Sequence, residues 1–548
     1  MYQKNASNFC PKGRHRRVKP RFCNNILRII GFLKKPITKS RFNNLLTSIP
    51  YELWLIIVVA FSLRVYHLGY HDLWYDEVIT LIKISKPDIL QLWNPPLYYI
   101  ILAGWVKIFG FSEVSLRFPS LLFSLACVPA IYLLGKELFN KSAGIFASLI
   151  TALSPFQLWY AQEARSYSLL AFLGLLSSYS QFLFINRKQN KFLYWCIAFA
   201  ILGVYTHPYY IFFAISQLIC CVICMRKRWS VKMLIASLLV SLSFIPIMRK
   251  SWIRLSAVME NYWISTPSWK SLLISIENFN LGYNSHLLTY FIFDILSLIL
   301  VIAVVWSVKK KAVSRKGIIF CFSLFILPLI FTFTFSRLIV PIYFDRGLII
   351  STPFYYLILG LGISAFRKKI LRFSVIILIL TFLTVGIYGF LKGWMPTKQI
   401  HHVGVHPKKP IEPVVEFIKK NSAPEDIIAF TNDSVKLPFI WYSEGRNYVF
   451  FSGHKKGVKP SFGKFRFIFG PKSVTPSYRQ PRKEDEFNIP LGKVNELEFK
   501  KLFVLACDWP RSGNLDKNSS TVKEKLDEIF NLEMKREFDG LWVYKYGK

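Results

Sequence analysis

Acidic side chains are scarce in this chain: 31 aspartates and glutamates stand against 70 lysines and arginines in 548 residues. All charged residues together make 18% of the chain, while 53% of it is hydrophobic and 17% aromatic, more apolar material than an ordinary soluble core needs. Near Met1 there is no short apolar core followed by a small-residue cleavage site, so the start does not read as a signal peptide. Residues 1–50, with KGRHRRVKPR and almost no acid, predict instead a basic cytoplasmic tail suited to anionic lipid headgroups. The nine cysteines lack zinc or redox spacing. Cys221 and Cys224 bracket two residues, but both lie in FFAISQLICCVICM, where packing accounts for them. No nucleic-acid-binding motif and no internal repeat is visible, and the excess of positive charge needs another explanation.

Long apolar runs supply it. Spans of about 17 to 25 residues cross a bilayer as helices. Such runs recur at about 51–68, 116–135, 143–161, 167–185, 192–206, 209–225, 231–249, 287–307, 317–336, 344–365 and 373–391, about eleven in all. Starting inside and alternating sides, every basic cluster between them falls on the cytoplasmic face: Arg187 to Lys191, Arg226 to Arg228, Lys309 to Lys316, and Arg367 to Arg372. The fold class expected is a polytopic α-helical membrane protein with a transmembrane domain over 51–391. Its first outer loop, 67–116, contains NPPLYYIILAGWVKIFG, too short for a span and suited to an interfacial or re-entrant helix. Beyond Trp394 the pattern changes. PVVEFIKKNSAPEDIIAFT predicts a helix, a turn and a strand, NYVFFSG, KFRFIFG, KLFVLACDW and LWVYKY further strands, and TVKEKLDEIFNLEMKREF one charged helix. Residues 392–548 are thus expected to form a soluble α/β domain on the extracytoplasmic side.

The outer loops hold the isolated polar residues, which are costly against a bilayer unless paired or useful. Asp76 and Glu77 are adjacent; on a helix their side chains diverge by about 100°, so one catalyses while the other orients or binds, or both are merely solvated. That geometry argues against hydrolysis by paired carboxylates about 5 to 9 Å apart, whereas a single general base needs only one of them. In QEARSY, Arg165 either grips a phosphate in bidentate fashion or pairs with Glu163 or snorkels to the interface. Arg346, beside Asp345 and near Arg337, has the same two readings. Arg117 reaches a phosphate or anchors its helix. His207 is a ligand or a structural histidine, Asn94-Pro95-Pro96 sets a rigid turn, and Tyr262-Trp263 belongs to an interfacial belt. Asn94 and Tyr167 join the three arginines Arg165, Arg346 and Arg117 as donor- and phosphate-binding candidates, and Glu163 and Tyr98 join His207 as candidate substrate contacts.

The order of these pieces carries a resemblance. An aspartate-glutamate pair in the first outer loop, then a PPLYY helix, LRFPS, GKELF and QEARSY, densest over about Leu63–Leu170, resembles the bacterial branch of the protein O-mannosyltransferase and aminoarabinose transferase family, membrane glycosyltransferases of the GT-C type. The resemblance implies transfer, with inversion, of a sugar from a polyprenyl-phosphate carrier to a protein, lipid or glycan acceptor outside the cytoplasm, in a bacterial cell membrane. It implies for Asp76 the role of general base or acceptor organiser and for Glu77 that of its positioner. Arg165 and Arg346 would bind the lipid phosphate. Many relatives carry His or Lys before Pro-Pro where this chain has Asn94, which hydrogen-bonds but supplies no positive charge. No cofactor is strictly required; a divalent metal on Asp76, Glu77 and His207 stays open. The alternative, a lipid-sugar flippase, would line a path at mid-membrane depth with polar residues, and Asp294 is the one acid so placed.

Overall fold

The computed structural model describes residues 50–85, 94–225, 227–258, 264, 266–310, 313–396, 405, 408–423, 425–431, 433–443, 448–452, 488–490, 499–507 and 517–547. The basic tail, Tyr262-Trp263 and the KFRFIFG strand expectation lie outside them.

Each expected apolar segment coincides with helix. In chain order these are α1 (Tyr51–Val65), then α2 (Tyr75–Ile84) and α3 (Leu97–Phe109) in the first loop, followed by α4 (Glu113–Leu138), α5 (Lys141–Leu153) and α6 (Pro155–Ala161). Next come α7 (Tyr167–Arg187), α8 (Asn190–Val204), α9 (Tyr210–Cys224), α10 (Lys227–Val258), α11 (Trp269–Leu281), α12 (Leu287–Lys309) and α13 (Arg315–Leu338). A 3-10 turn at Asp345–Ser351 runs into α14 (Thr352–Ala365), and α15 (Lys369–Leu391) closes the series. Among the described residues, six stretches are long and apolar enough to cross a membrane on their own: α4, α7, α12, α13, the 3-10 turn with α14, and α15. A seventh is the pair α5 and α6, bent by 57°. The expected eleven is reached only if α1, α8, α9 and the apolar part of α10 cross as well, and these are shorter. Along α12 the side chains Leu288, Phe291, Ile295, Leu298, Ile302 and Val305 are exposed at helical spacing. Such a continuous apolar face on a monomer suits a lipid solvent.

Local chemistry sets the helix ends. Ser112, Asn140, Ser154 and Ser314 each accept a backbone N–H three residues on, capping α4, α5, α6 and α13. Between α4 and α5 only glycine fits: a Cβ on Gly144 would stand 2.7 Å from the Tyr132 carbonyl oxygen. Close backbone approach of this kind is how helices pack in lipid. At the α5–α6 bend Arg64 is fully buried. Its guanidinium donates to the Ala152 carbonyl at 2.9 Å, the Thr151 carbonyl at 3.1 Å, the Ser124 hydroxyl at 2.9 Å and the Ala60 carbonyl at 3.1 Å. The carbonyls that the bend leaves without helical partners are thereby satisfied.

The C-terminal region contains α16 (Ile411–Asn421), β1 (Ile427–Phe430), α17 (Asp433–Tyr442), β2 (Tyr448–Ser452), β3 (Asn488–Pro490), β4 (Lys501–Cys507), α18 (Lys517–Ile529), β5 (Asn531–Phe538) and β6 (Leu541–Gly547). The strands form one sheet in the order β3-β2-β1-β4-β6-β5, parallel except where β6 pairs antiparallel with β4 and β5. Alternation separates two cores: Ile428, Phe430, Phe503 and Leu505 pack on α16 and α17, while Ile427, Ala429, Leu502 and Val504 pack on α18. NLEMKREF, expected as the end of a charged helix, is strand β5; its pairing with β6 overrides helix propensity at the exposed sheet edge.

Candidate active site

The two adjacent carboxylates begin α2 and part immediately. Glu77 is the third residue of the helix and reaches back to accept the Trp74 backbone N–H at 3.4 Å, one half of a capping box. Its side chain is completely buried. Oε1 accepts Arg117 Nε at 2.8 Å and the Ala164 N–H at 3.0 Å, and Oε2 accepts Arg117 Nη2 at 2.8 Å. Burial by itself would raise this carboxyl; the charges of Arg117 and Lys408 and the hydrogen bonds from Arg117 and Ala164 outweigh it and bring Glu77 from 4.5 down to about 2.

Arg117, expected either at a phosphate or as an anchor of its helix, is a strut. Beyond its two bonds to Glu77 it donates to the Leu68 and His71 carbonyls at 2.8 Å and to the Asp72 carbonyl at 3.1 Å. A guanidinium has five N–H donors, and all five are matched by protein acceptors, so none is left for a ligand. Glu77 and Arg117 together pin the loop that precedes α2 onto α4.

Asp76 turns the other way, 16% exposed, with Oδ2 at 3.1 Å from Arg346 Nη1 and 3.4 Å from Arg165 Nη2. Arg165 also reaches the Asp76 carbonyl at 3.4 Å. The Tyr167 ring lies between the cations, with each guanidinium carbon 5.8 Å from its centroid. His207 stacks obliquely on Tyr167 at 5.6 Å. Its Nδ1 accepts the Tyr209 N–H at 3.3 Å. Burial, then the charges of Arg165 and Arg346, push His207 from 6.5 to about 3, so the ring is neutral. One carboxylate thus faces two cations in a partly open site, an arrangement with an affinity for anions.

Arg165 has no helix to hold it; side chains do so. Its carbonyl accepts the Ser120 hydroxyl at 3.0 Å, and Ser120 shares a 2.8 Å hydrogen bond with the buried Tyr98 hydroxyl. Tyr98 therefore supports the backbone of Arg165. Glu163 is buried and accepts Trp159 Nε1 at 2.7 Å, while its Oε2 has no hydrogen-bond partner among the described residues. Burial raises Glu163 to about 7 against the pull of Lys408. Asn94 stands apart, at the far end of α2, where Oδ1 accepts Lys83 Nζ at 2.9 Å. Asp345 accepts the Asn278 side-chain amide, and Arg337 donates to the Pro267 carbonyl at 3.1 Å, outside the site. Asp294 accepts Asn280 Nδ2 at 2.8 Å, and Asn280 in turn accepts the Tyr355 hydroxyl at 2.8 Å.

Asp76, Glu77 and His207 do not suit a metal: Arg117 occupies Glu77 and two guanidiniums occupy Asp76. No group of three or more His, Cys, Asp or Glu side chains is assembled for a metal among the described residues.

Lys408 escaped the sequence reading. It precedes α16, donates to the Gln162 carbonyl at 2.6 Å and stands 3.8 Å from Glu77 Oε2. Burial, then the Arg117 charge, lower it to about 8 against Glu77 and Glu163. The only trace in the sequence is a basic pair before Pro410, a pattern shared by many exposed loops. The sheet domain also reaches the loop before α2 and the start of α4, for the Tyr442 hydroxyl accepts the Leu73 N–H at 2.9 Å and donates to Glu113 at 2.7 Å. Asp72 accepts the Glu412 N–H at 2.8 Å.

Residues 93–253 match the family model described as dolichyl-phosphate-mannose-protein mannosyltransferase. The chain is 27% identical over 155 residues to an uncharacterised protein of Aquifex aeolicus (strain VF5) and 27% identical over 165 residues to YkcB, a candidate mannosyltransferase of Bacillus subtilis (strain 168). These matches take in 26% and 28% of the chain and only 31% and 23% of the relatives' own lengths. In three dimensions the chain is similar to ArnT from Cupriavidus metallidurans, with a TM-score of 0.51 at 10% identity for the apo state and 0.50 at 11% for the state bound to undecaprenyl phosphate. Each superposition covers 90% of this chain and 97% of ArnT. The chain is a polytopic helical membrane protein whose fold is similar to that of ArnT, and over its residues 93–253 it is similar to the dolichyl-phosphate-mannose-protein mannosyltransferases.

Proposed function

We infer that this protein is an inverting glycosyltransferase that moves a sugar from a polyprenyl-phosphate donor to an acceptor on the non-cytoplasmic face of the membrane. The observation that carries the reading is Asp76 held between Arg165 and Arg346 at the start of α2. A transfer of this kind needs a proton acceptor for the attacking hydroxyl and cations for the departing phosphate. The acceptor oxygen attacks the anomeric carbon, the bond to the phosphate oxygen breaks with its electron pair passing to the phosphate, and the acceptor's proton passes to Asp76. One such displacement inverts the anomeric centre. A donor phosphate drawn to the two guanidiniums takes them from Asp76, and a carboxylate relieved of cationic neighbours holds a proton more readily. Donor binding would thus prepare the base. The outward placement is supported by the basic clusters that alternate with the site along the chain.

The test is transfer of radiolabel from undecaprenyl-phosphate mannose and related polyprenyl-phosphate sugars by the purified protein in nanodiscs with membrane extract. Label should appear in a lipid, glycan or protein fraction. Full activity in Asp76→Asn would remove the base assignment, and absence of transfer from every donor would remove the reading itself.

A further inference from the structure

Two consecutive lysines in the connection between the membrane helices and the sheet domain bind in opposite directions. Lys408 Nζ donates to the Gln162 carbonyl at 2.6 Å and lies 3.8 Å from Glu77 Oε2. Lys409 Nζ donates at 2.6 Å to the carbonyl of Gly540, in the turn of the β5–β6 hairpin. What Lys408 grips is a turn with few backbone hydrogen bonds of its own, from the Gln162 N–H back to α6 and from the Arg165 N–H to the Glu163 carbonyl. Between α6 and α7, the Gln162 carbonyl is held by Lys408, the Ala164 N–H by Glu77 and the Arg165 carbonyl by Ser120. The side chain that emerges from this turn is Arg165, one of the two cations on Asp76. Removing Lys408 strands a carbonyl and takes a positive charge from beside Glu77 and Glu163, both buried.

We propose that Lys408 is a positioning residue: with Lys409 it staples the sheet domain to the turn at 162–165 and so fixes where the Arg165 guanidinium stands against Asp76. The functional weight of Arg165 rests on the glycosyl-transfer reading, whereas the staple does not. Force applied to the domain, for instance by an acceptor seated on it, then reaches the cation that faces the leaving phosphate.

Hydrogen–deuterium exchange on the full chain tests the staple without any ligand. In Lys408→Met the amides of 162–165 should exchange about tenfold faster, with those in the middle of α7 unchanged, and Lys408→Arg should restore slow exchange. Unchanged exchange in a folded Lys408→Met protein overturns the proposal. Should that variant fail to fold, Lys409→Met cuts the far end of the staple and must loosen the same amides, or the proposal falls. Binding of undecaprenyl phosphate supplies the second arm: Lys408→Met and Arg165→Ala should each weaken it about tenfold, and the double variant no further than Arg165→Ala alone. Additive losses would show that Lys408 does not act through Arg165. A wild-type protein that binds no undecaprenyl phosphate would count against the functional reading, with exchange still deciding the staple.

Discussion

Glu77→Gln and Asp76→Asn each remove one negative charge with little change of volume, and they should separate scaffold from chemistry. Glu77 is fully buried and its carboxyl is lowered from 4.5 to about 2. A lowering of that size corresponds to about 3 kcal/mol, the low end of the roughly 3–5 kcal/mol lost when one partner of a buried ion pair is removed. The folded value lies below the unfolded one, so this stabilisation is complete above about pH 4.5 and fades as the pH falls toward about 2. Glu77→Gln should therefore lose about 3 kcal/mol at neutral pH and lower the apparent unfolding midpoint by several degrees. Asp76 keeps some contact with solvent and meets its two arginines only at 3.1 and 3.4 Å, so its replacement by Asn should cost less stability than Glu77→Gln. Tryptophan fluorescence of detergent-solubilised protein under heating reads both effects. The gap between wild type and Glu77→Gln should narrow as the pH is taken from neutral toward about 3. Glu77→Gln as stable as wild type at neutral pH, or a gap constant with pH, would refute the assignment of Glu77 to the scaffold.

Arg346→Ala should weaken undecaprenyl phosphate binding by about 10- to 100-fold, a loss of about 1.5–3 kcal/mol for a charge-assisted contact, while Asp76→Asn binds it at least as tightly as wild type; equilibrium binding in nanodiscs decides. Tyr442→Phe removes the hydroxyl that joins Leu73 and Glu113 and leaves the Leu73 N–H without that partner. The expected cost of about 1–3 kcal/mol falls on domain docking, and proteolysis between α15 and α16 should accelerate. Gly144→Leu drives a side chain into the Tyr132 carbonyl and should destabilise the α4–α5 contact by about 1–3 kcal/mol or more, seen as a lower melting midpoint with an unchanged sheet domain.

The helices were legible because lipid imposes a long apolar run on each, and Asp76-Glu77 was legible because two acids amid such runs need a reason. Their division of labour was not. Glu77 is assigned by Arg117, 40 residues along the chain, and by Lys408 in another domain. Arg117 and Arg165 look alike in sequence, yet one spends all five donors on the protein and the other faces Asp76. Tyr98, expected as a substrate contact, is tied through Ser120 to the Arg165 backbone. The helix expected at NLEMKREF failed because its charges sit on an edge strand whose partner, β6, decides the matter.

Arg64 has a consequence for motion. Straightening α5 and α6 into one rod would carry the carbonyls of Thr151 and Ala152 off the Arg64 guanidinium, leaving it two of its four hydrogen bonds, and would set the Thr151 carbonyl opposite Pro155, which has no N–H to offer it. Each stranded group costs about 1–3 kcal/mol. The bend is consequently a fixed joint, and the turn it delivers, with Gln162 donating to the Arg64 and Tyr66 carbonyls at 3.1 and 2.7 Å, keeps its height against α1.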